Sequence, residues 1–317
     1  MLKVGLVGVG GISGSHIPNW EKMEDVELVA LCDVRPERME KYAHLHCYSN
    51  VDDMLANEKL DILDICLPTY LHADTAVKAL EMGINVLCEK PISLNRADVE
   101  RVYGAAERNH VRFMVAQVLR FWPEYEFVKE AFESGKFGKL ISGSMTRLGH
   151  IPAWSWDGWM QDEKRSGLTP FDLHIHDLDF MIYAFGKPKN ATPFRAKRPD
   201  QDYINVVYEY DGFFLVTEAA WYGAQGYPFN AKFRFQFEDA MVVWENKELA
   251  VYPREGGKLV VGQEEGESGG LELPKTNAYA NEIRYFADCV KNGVPVEKVK
   301  AEELDTVLEL IDRLPRA

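Results

Sequence analysis

The sequence has no apolar run near the ~20 residues a membrane-spanning helix needs, few cysteines, and less basic than acidic charge. Each shortage removes a class of function. Without a long apolar run no helical membrane anchor is expected. Met1-Leu2-Lys3-Val4 runs straight into a strand-like segment, so no cleavable leader is expected either, and a cytoplasmic location is. The five cysteines (Cys32, Cys47, Cys66, Cys88 and Cys289) include no Cys-x-x-Cys pair, and three lie in or beside apolar runs. Reduced, mostly buried thiols are expected, and no disulfide framework. Lys and Arg number 36 against 50 Asp and Glu, a net charge of -14. That balance leaves no broad basic field for a phosphate backbone or anionic lipid, so neither nucleic acid nor a membrane surface is an expected partner.

What is present suffices for a large core. At 317 residues and 46% hydrophobic content, two domains are more natural than one. The first third alternates apolar runs (4–7, 26–32, 62–67, 84–88 and 111–115) with amphipathic stretches such as 71–82 and 95–109. Such a β-α-β rhythm predicts a parallel, doubly wound sheet with helices on both faces. After Leu119 the period changes. In Phe229-Asn-Ala-Lys-Phe-Arg-Phe-Gln-Phe237 apolar side chains recur at every second position, which predicts strands of a mostly antiparallel sheet with one buried face. The expected division is a dinucleotide-binding domain over 1–119 and a substrate and oligomerisation domain over 120–317. Tyr279, Ile283, Phe286 and Val290, then Leu304, Val307, Leu308 and Ile311, recur at helical spacing. The Gly- and Glu-rich stretch 253–275 reads as a mobile hairpin or loop.

The turn after the first strand reads Gly8-Val-Gly10-Gly11-Ile12-Ser13, close to the G-x-G-x-x-G fingerprint of dinucleotide sites. Gly8 serves the tight turn, Gly10 lets the backbone approach a pyrophosphate, and the third position needs only a side chain as small as that of Ser13. Alone the loop is weak. Asp33, ending the second strand, stands where an acid takes both ribose hydroxyls and repels a 2′-phosphate, so NAD(H) is favoured. Arg35 softens that preference, and NADP stays open. The plainer alternative for Asp33 is a cap before Pro36.

Two further motifs carry chemistry. Cys88-Glu89-Lys90-Pro91 closes a parallel strand, the edge at which open α/β sheets place ligands, and Lys90 there can donate a hydrogen bond to a developing alkoxide. A solvated loop lysine is the competing interpretation. In Thr169-Pro170-Phe-Asp172-Leu-His174-Ile-His176, Thr169 as cap and Pro170 at the first helical position predict a helix with Asp172 and His176 on one face. His176 is then the base for a hydroxyl proton, oriented by Asp172. Against this, Thr169-x-x-Asp172 also fits a capping box. His174 and His176 point to nearly opposite sides of such a helix, so no metal is expected.

With these residues assembled, the chain resembles the Gfo/Idh/MocA family of oxidoreductases, which includes inositol and sugar dehydrogenases. The likeness runs nearly end to end, through the glycine loop, Cys32-Asp33-Val-Arg-Pro, Leu67-Pro68-Thr-Tyr-Leu-His72, Glu89-Lys90-Pro91, Arg120-Phe-Trp-Pro123 and the Asp172 to His176 segment. It implies a Rossmann domain followed by an α/β domain whose open sheet mediates a homodimer or homotetramer. By position it implies a catalytic trio of Lys90, Asp172 and His176. Leu67, Pro68, His72 and Glu89 then line the nicotinamide side, with Gln117 a further polar contact. Arg120 and Trp159 join Lys90, Asp172 and His176 as expected substrate contacts. Leu168-Thr169-Pro170 and His174 depart from the glycines many members carry, so a pocket unlike that of the inositol enzymes is expected. Trp154, Trp156 and Trp159 either stack on a sugar or form a packed cluster.

The expected activity is hydride exchange between NAD(H) and a secondary alcohol or ketone of a sugar, polyol or inositol-like molecule. Two alternatives stand beside it: a sugar-modifying hydrolase or lyase with transient redox of bound NAD, and a non-catalytic NAD(P)-binding sensor.

Overall fold

In the computed structural model, residues 1–262 and 277–315 are described. They form two compact units, one of residues 1–118, 164–166 and 277–305, the other of 119–163, 167–262 and 306–315.

The first unit opens with β1 (Leu2–Val7), α1 (Ser13–Glu21), β2 (Val26–Cys32), β3 (His46–Tyr48), α2 (Val51–Asn57), β4 (Ile62–Ile65), α3 (His72–Glu81), β5 (Asn85–Glu89), α4 (Ala97–Arg108) and β6 (Phe113–Ala116). The strands lie in the order β3-β2-β1-β4-β5-β6, all parallel. The expected doubly wound sheet is therefore present. Central strands are apolar on both faces because helices cover both: Ile62, Leu63 and Ile65 of β4 and Val86, Leu87 and Cys88 of β5 are fully buried. Each such Ile or Leu contributes roughly 1.5–3 kcal/mol by leaving water. β3 escaped the sequence pattern, because a three-residue edge strand of His, Cys and Tyr has no apolar period. Strand order reverses between β1 and β4, so the loops after these strands diverge and open a crevice at their carboxyl ends.

The second unit contains α5 (Pro123–Ser134), β7 (Leu140–His150), the first residue of a short helix α6 (Glu163–Ser166) whose other residues belong to the first unit, α7 (Ile175–Phe185), β8 (Asn190–Arg198), β9 (Gln201–Glu209), β10 (Phe214–Tyr222), β11 (Asn230–Phe237), β12 (Ala240–Glu245), β13 (Glu248–Pro253) and β14 (Leu259–Val260). Its eight strands run β14-β13-β12-β11-β7-β10-β9-β8, antiparallel except for the β7 and β10 pair. The alternation read in the sequence is realised in β11, where Phe233, Phe235 and Phe237 point into the core. Tyr125 of α5 meets Phe180 of α7 and Phe233 edge-on, at 4.9 and 5.0 Å between ring centroids. β13 and β14 form a hairpin with Gly256 at φ +105°, and the remainder of the loop expected over 253–275, from residue 263 onward, lies outside the described residues.

After the second unit the chain returns. α8 (Ala278–Asn292) packs on α1 and anchors to the loop before β2 through Arg284 and Lys291, which reach Asp25 at 2.7 and 2.6 Å. A single cut after residue 119 leaves this helix out of the unit to which it belongs. A last helix, α9 (Ala301–Asp312), follows.

Candidate active site

The glycine loop has the geometry its sequence implies. Gly8 has φ +93°, and a Cβ there would fall 2.5 Å from the Cys66 carbonyl oxygen, so only glycine lets β1 turn this close to the end of β4. A Cβ on Gly10 would meet nothing within 4 Å, so the space above that backbone is open. Ser13, buried in the third glycine's place, donates to the Gly10 carbonyl at 2.8 Å and fixes the start of α1. α1 thus starts directly beside a bare glycine loop, the kind of sequence and turn that takes a pyrophosphate. Gly11 is exposed and Ile12 half-buried beside it.

Asp33 is buried at the end of β2. Its Oδ2 accepts from the Val9 backbone N–H at 2.8 Å, which ties the second strand to the glycine loop. It does not cap a helix before Pro36. Oδ1 accepts from the Arg35 backbone N–H and Nε at 2.9 and 3.0 Å, and Oδ2 from Arg35 Nη2 at 3.2 Å. The guanidinium and backbone of Arg35 thus engage both oxygens of this carboxylate. A dinucleotide fits this loop and this acid.

Leu67 and Pro68, both half-buried, follow β4, and Glu89 ends β5 with Lys90 just after it, on the same edge of the sheet as the glycine loop. His72 is buried, with Nδ1 2.7 Å from the Pro91 carbonyl and Nε2 2.6 Å from the Leu67 carbonyl. It thus sits between the two loops, and because burial pushes its pKa down the neutral ring donates to one of these carbonyls. Glu89 is buried with Oε1 3.0 Å from His16 Nε2, while Oε2 accepts from the Lys90 backbone N–H at 3.0 Å. Burial pushes the Glu89 carboxyl up, but the His16 hydrogen bond and charge outweigh it and hold the group below its ordinary value. Lys90 itself is half-buried and joined to Pro91 by a cis peptide bond. Gln117, just past β6, is buried.

In the second unit the expected cap is absent. Thr169 is helical itself and donates instead to the Asp202 carbonyl at 3.2 Å. Pro170–His174 form a π-helical turn, with the Ile175 N–H bonded to the Pro170 carbonyl five residues back, and α7 begins only at Ile175. The capping-box alternative for Asp172 falls with the cap. Asp172 and His176 are both half-buried, and Asp172 Oδ2 accepts from the indole N–H of Trp221 at 3.1 Å. Trp221 on β10, together with Met160, Leu168, Leu173 and Ala219, makes a buried cluster against which Trp159 packs. Trp159 thus packs on the cluster that holds Asp172, whereas Trp154 and Trp156 are exposed.

Arg120 requires a correction. Expected at the substrate, it is wholly buried, its guanidinium paired to Asp179 at 2.8 and 2.6 Å and lying over Tyr183. Asp177, another acid of α7, is likewise buried against Arg147 at 2.8 Å. The two arginines anchor the first turns of α7, just after His176. The departure at His174 is absorbed by the core, where its Nε2 lies 2.8 Å from the buried Tyr208 hydroxyl. Sequence reasoning also missed His16, Asp64 and Trp221, whose partners lie 48 to 73 residues away along the chain.

A Rossmann unit with a bare glycine loop, and a second unit with an open mixed sheet and a helix start bearing an acid and an imidazole, define a dinucleotide-dependent oxidoreductase architecture. Comparison with known proteins makes the class specific. Residues 2–117 match the model of an oxidoreductase family with an NAD-binding Rossmann fold, and residues 125–243 match the GFO/IDH/MocA C-terminal domain. The chain belongs to this family of NAD-binding oxidoreductases. Among its relatives is the myo-inositol 2-dehydrogenase of Thermotoga maritima, 26% identical over 322 residues that cover 93% of this chain and 90% of that one. Another is the 2,7-anhydro-N-acetylneuraminate hydratase of Escherichia coli, 28% identical over 196 residues, 61% of this chain and 52% of that one. Of several curated relatives the chain matches only about half the length. A levoglucosan dehydrogenase in complex with NADH and levoglucosan shares the fold at a TM-score of 0.83 and 19% identity, over 98% of this chain and 95% of that one.

Proposed function

We propose that this chain oxidises a secondary alcohol of a small polyhydroxylated molecule, a sugar, polyol or inositol, to the ketone in a reversible reaction. The observation that carries the proposal is Lys90 at the carboxyl end of β5, on the sheet edge that the glycine loop and Leu67-Pro68 share. Bound NAD+ supplies the hydride acceptor. Asp33 selects it by taking the ribose hydroxyls, and its negative charge disfavours a 2′-phosphate, although Arg35 moderates that preference. Leu67, Pro68 and Gln117 shape the nicotinamide side, while His72 and Glu89 hold the loops that carry it. His176 accepts the hydroxyl proton as hydride leaves carbon, Lys90 donates a hydrogen bond to the same oxygen, and Asp172, steadied by Trp221, orients substrate and base. Trp159 borders the substrate. The relatives named for inositol and levoglucosan support this substrate class.

Lys90→Ala and His176→Ala are each expected to lower kcat by ~100-fold or more, with NADH affinity within a few-fold of wild type. Substrates come from a panel of inositols, aldoses, sugar acids and amino sugars with NAD+ and NADP+, read by nicotinamide absorbance. Wild-type turnover in either variant removes that residue from the mechanism. The hydratase relatives favour one rival, transient redox without net cofactor turnover, which product formation at constant nicotinamide absorbance would reveal.

No helix among the described residues is long and apolar enough to cross a membrane. All five cysteines are free, which fits a reducing compartment, and we infer a cytoplasmic location. The half-exposed face of the eight-stranded sheet, with Tyr203 and Val207 on β9 and Val216 on β10, is our proposed dimer or tetramer surface.

A further inference from the structure

Beneath the first unit's crevice lies a buried charge network that the hydride chemistry does not use directly. His16, on the inner face of α1, is wholly buried. Its Nδ1 lies 2.8 Å from Asp64 Oδ2 on β4, and its Nε2 lies 3.0 Å from Glu89 Oε1 on β5. A neutral imidazole has one N–H and can serve only one of these carboxylates; the other would face a lone pair. Asp64 Oδ2 also accepts the Trp20 indole N–H at 2.7 Å, and Glu89 Oε2 accepts the Lys90 backbone N–H, so both acids already serve as acceptors. The arrangement that satisfies all of these atoms is an imidazolium donating in both directions.

The surroundings agree. Burial pushes the His16 ring toward neutrality, but Asp64 and then Cys66 outweigh it and hold its pKa well above the ordinary value. From β5 the ring faces Glu89. From α8 it faces Tyr279, with ring centroids 6.1 Å apart, on the helix that also carries the buried Glu282. His16, Asp64 and Cys66 offer donor atoms within 4.8 Å of one another, yet the 2.8 Å contact between the first two is a hydrogen bond already made.

The sequence position of Glu89 gives this network its consequence. Glu89 precedes Lys90 and is held by His16, and Pro91 follows Lys90 and is held through its carbonyl by His72. The backbone is therefore pinned on both sides of Lys90 by buried imidazoles, one of which sits on the helix that starts at the glycine loop. We propose that His16 is a positioning residue for Lys90: as an imidazolium it neutralises Glu89 from behind, so that this buried carboxylate does not claim the Lys90 ammonium and Lys90 addresses the substrate. The idea deepens the role given to Lys90 above and rests on that reading for its catalytic meaning. The coupling itself can be measured without turnover.

In His16→Gln one amide cannot donate to both acids and carries no charge, so the Glu89 carboxylate draws the Lys90 ammonium toward itself. With the full chain saturated with NADH, acetylation of Lys90 by acetic anhydride, followed by peptide mass spectrometry, should slow by at least about threefold. NADH affinity should stay within about threefold, as the glycine loop is untouched. His16→Gln combined with Glu89→Gln removes the stranded charge and should restore the rate to within about twofold. Unchanged Lys90 acetylation in folded His16→Gln, or no recovery in the double variant, overturns the proposal. Should His16→Gln not fold, nitrogen-15 spectra of the wild-type ring decide: both nitrogens protonated at about pH 8 supports it, and one bare nitrogen sinks it. Because no substrate is involved, an active Lys90→Ala would remove the catalytic role of Lys90 while leaving this coupling measurable in the wild-type chain.

Discussion

At the scale of single residues, burial decides what each titratable group can do. His174 and His16 are both enclosed histidines with opposite fates. His174 has Tyr208 at one ring nitrogen and no partner at the other among the described residues, and burial pushes its pKa down to about 4. His16 has a carboxylate at each nitrogen and stays charged. The signs of their pH effects follow. Below about pH 6.5 an unfolded chain binds a proton at His174 that the folded one refuses until about pH 4, so stability falls as pH drops through that window. At His16 the folded state binds the proton more tightly, so its contribution is complete at low pH and is lost as pH rises through the raised value. Urea unfolding at about pH 7.5 and about pH 5 should show wild type losing ~2 kcal/mol more than His174→Gln between the two conditions. Equal losses would mean that His174 is not held neutral.

At the scale of elements, the segment carrying Asp172 and His176 shows how a local rule yields to its surroundings. Thr169 and Pro170 carry a helix-start signal, and a helix does follow, but Thr169 spends its hydroxyl on Asp202 and the first turn widens to a π-turn. What fixes α7 is therefore not its cap but the buried pairs of Asp177 with Arg147 and Asp179 with Arg120. Arg147→Met strands the Asp177 carboxylate and should cost about 3–5 kcal/mol in urea unfolding, whereas Arg147→Met with Asp177→Leu should recover most of that loss. A double variant no more stable than the single one would show that the guanidinium acts by some other contact, such as its bond to Tyr125.

At the scale of the whole molecule, cofactor binding and stability are linked. A ligand at ~100 times its Kd adds ~2.7 kcal/mol to the state that binds it. NADH should therefore raise the thermal midpoint, and NADPH at the same concentration should raise it less, because Asp33 opposes a 2′-phosphate. An equal or larger shift with NADPH would show that Arg35 governs that site and the acid does not. The net charge of -14 does not favour either anionic cofactor, so the loop and α1 must supply the attraction locally.

Much of this was legible in the chain. The β-α-β rhythm, the change of period after Leu119, the glycine loop with Asp33, and the Glu89-Lys90-Pro91 and Asp172 to His176 motifs are local patterns, and short-range periodicity and turn chemistry determined them. Tertiary structure alone decided that Arg120 is a core ion pair, that Trp221 steadies Asp172 across 49 residues, that α8 returns to pack on α1, and that His16 joins Asp64 and Glu89. The physical reason is that a buried charge takes its meaning from its partner, and strand order and register choose that partner from distant parts of the chain.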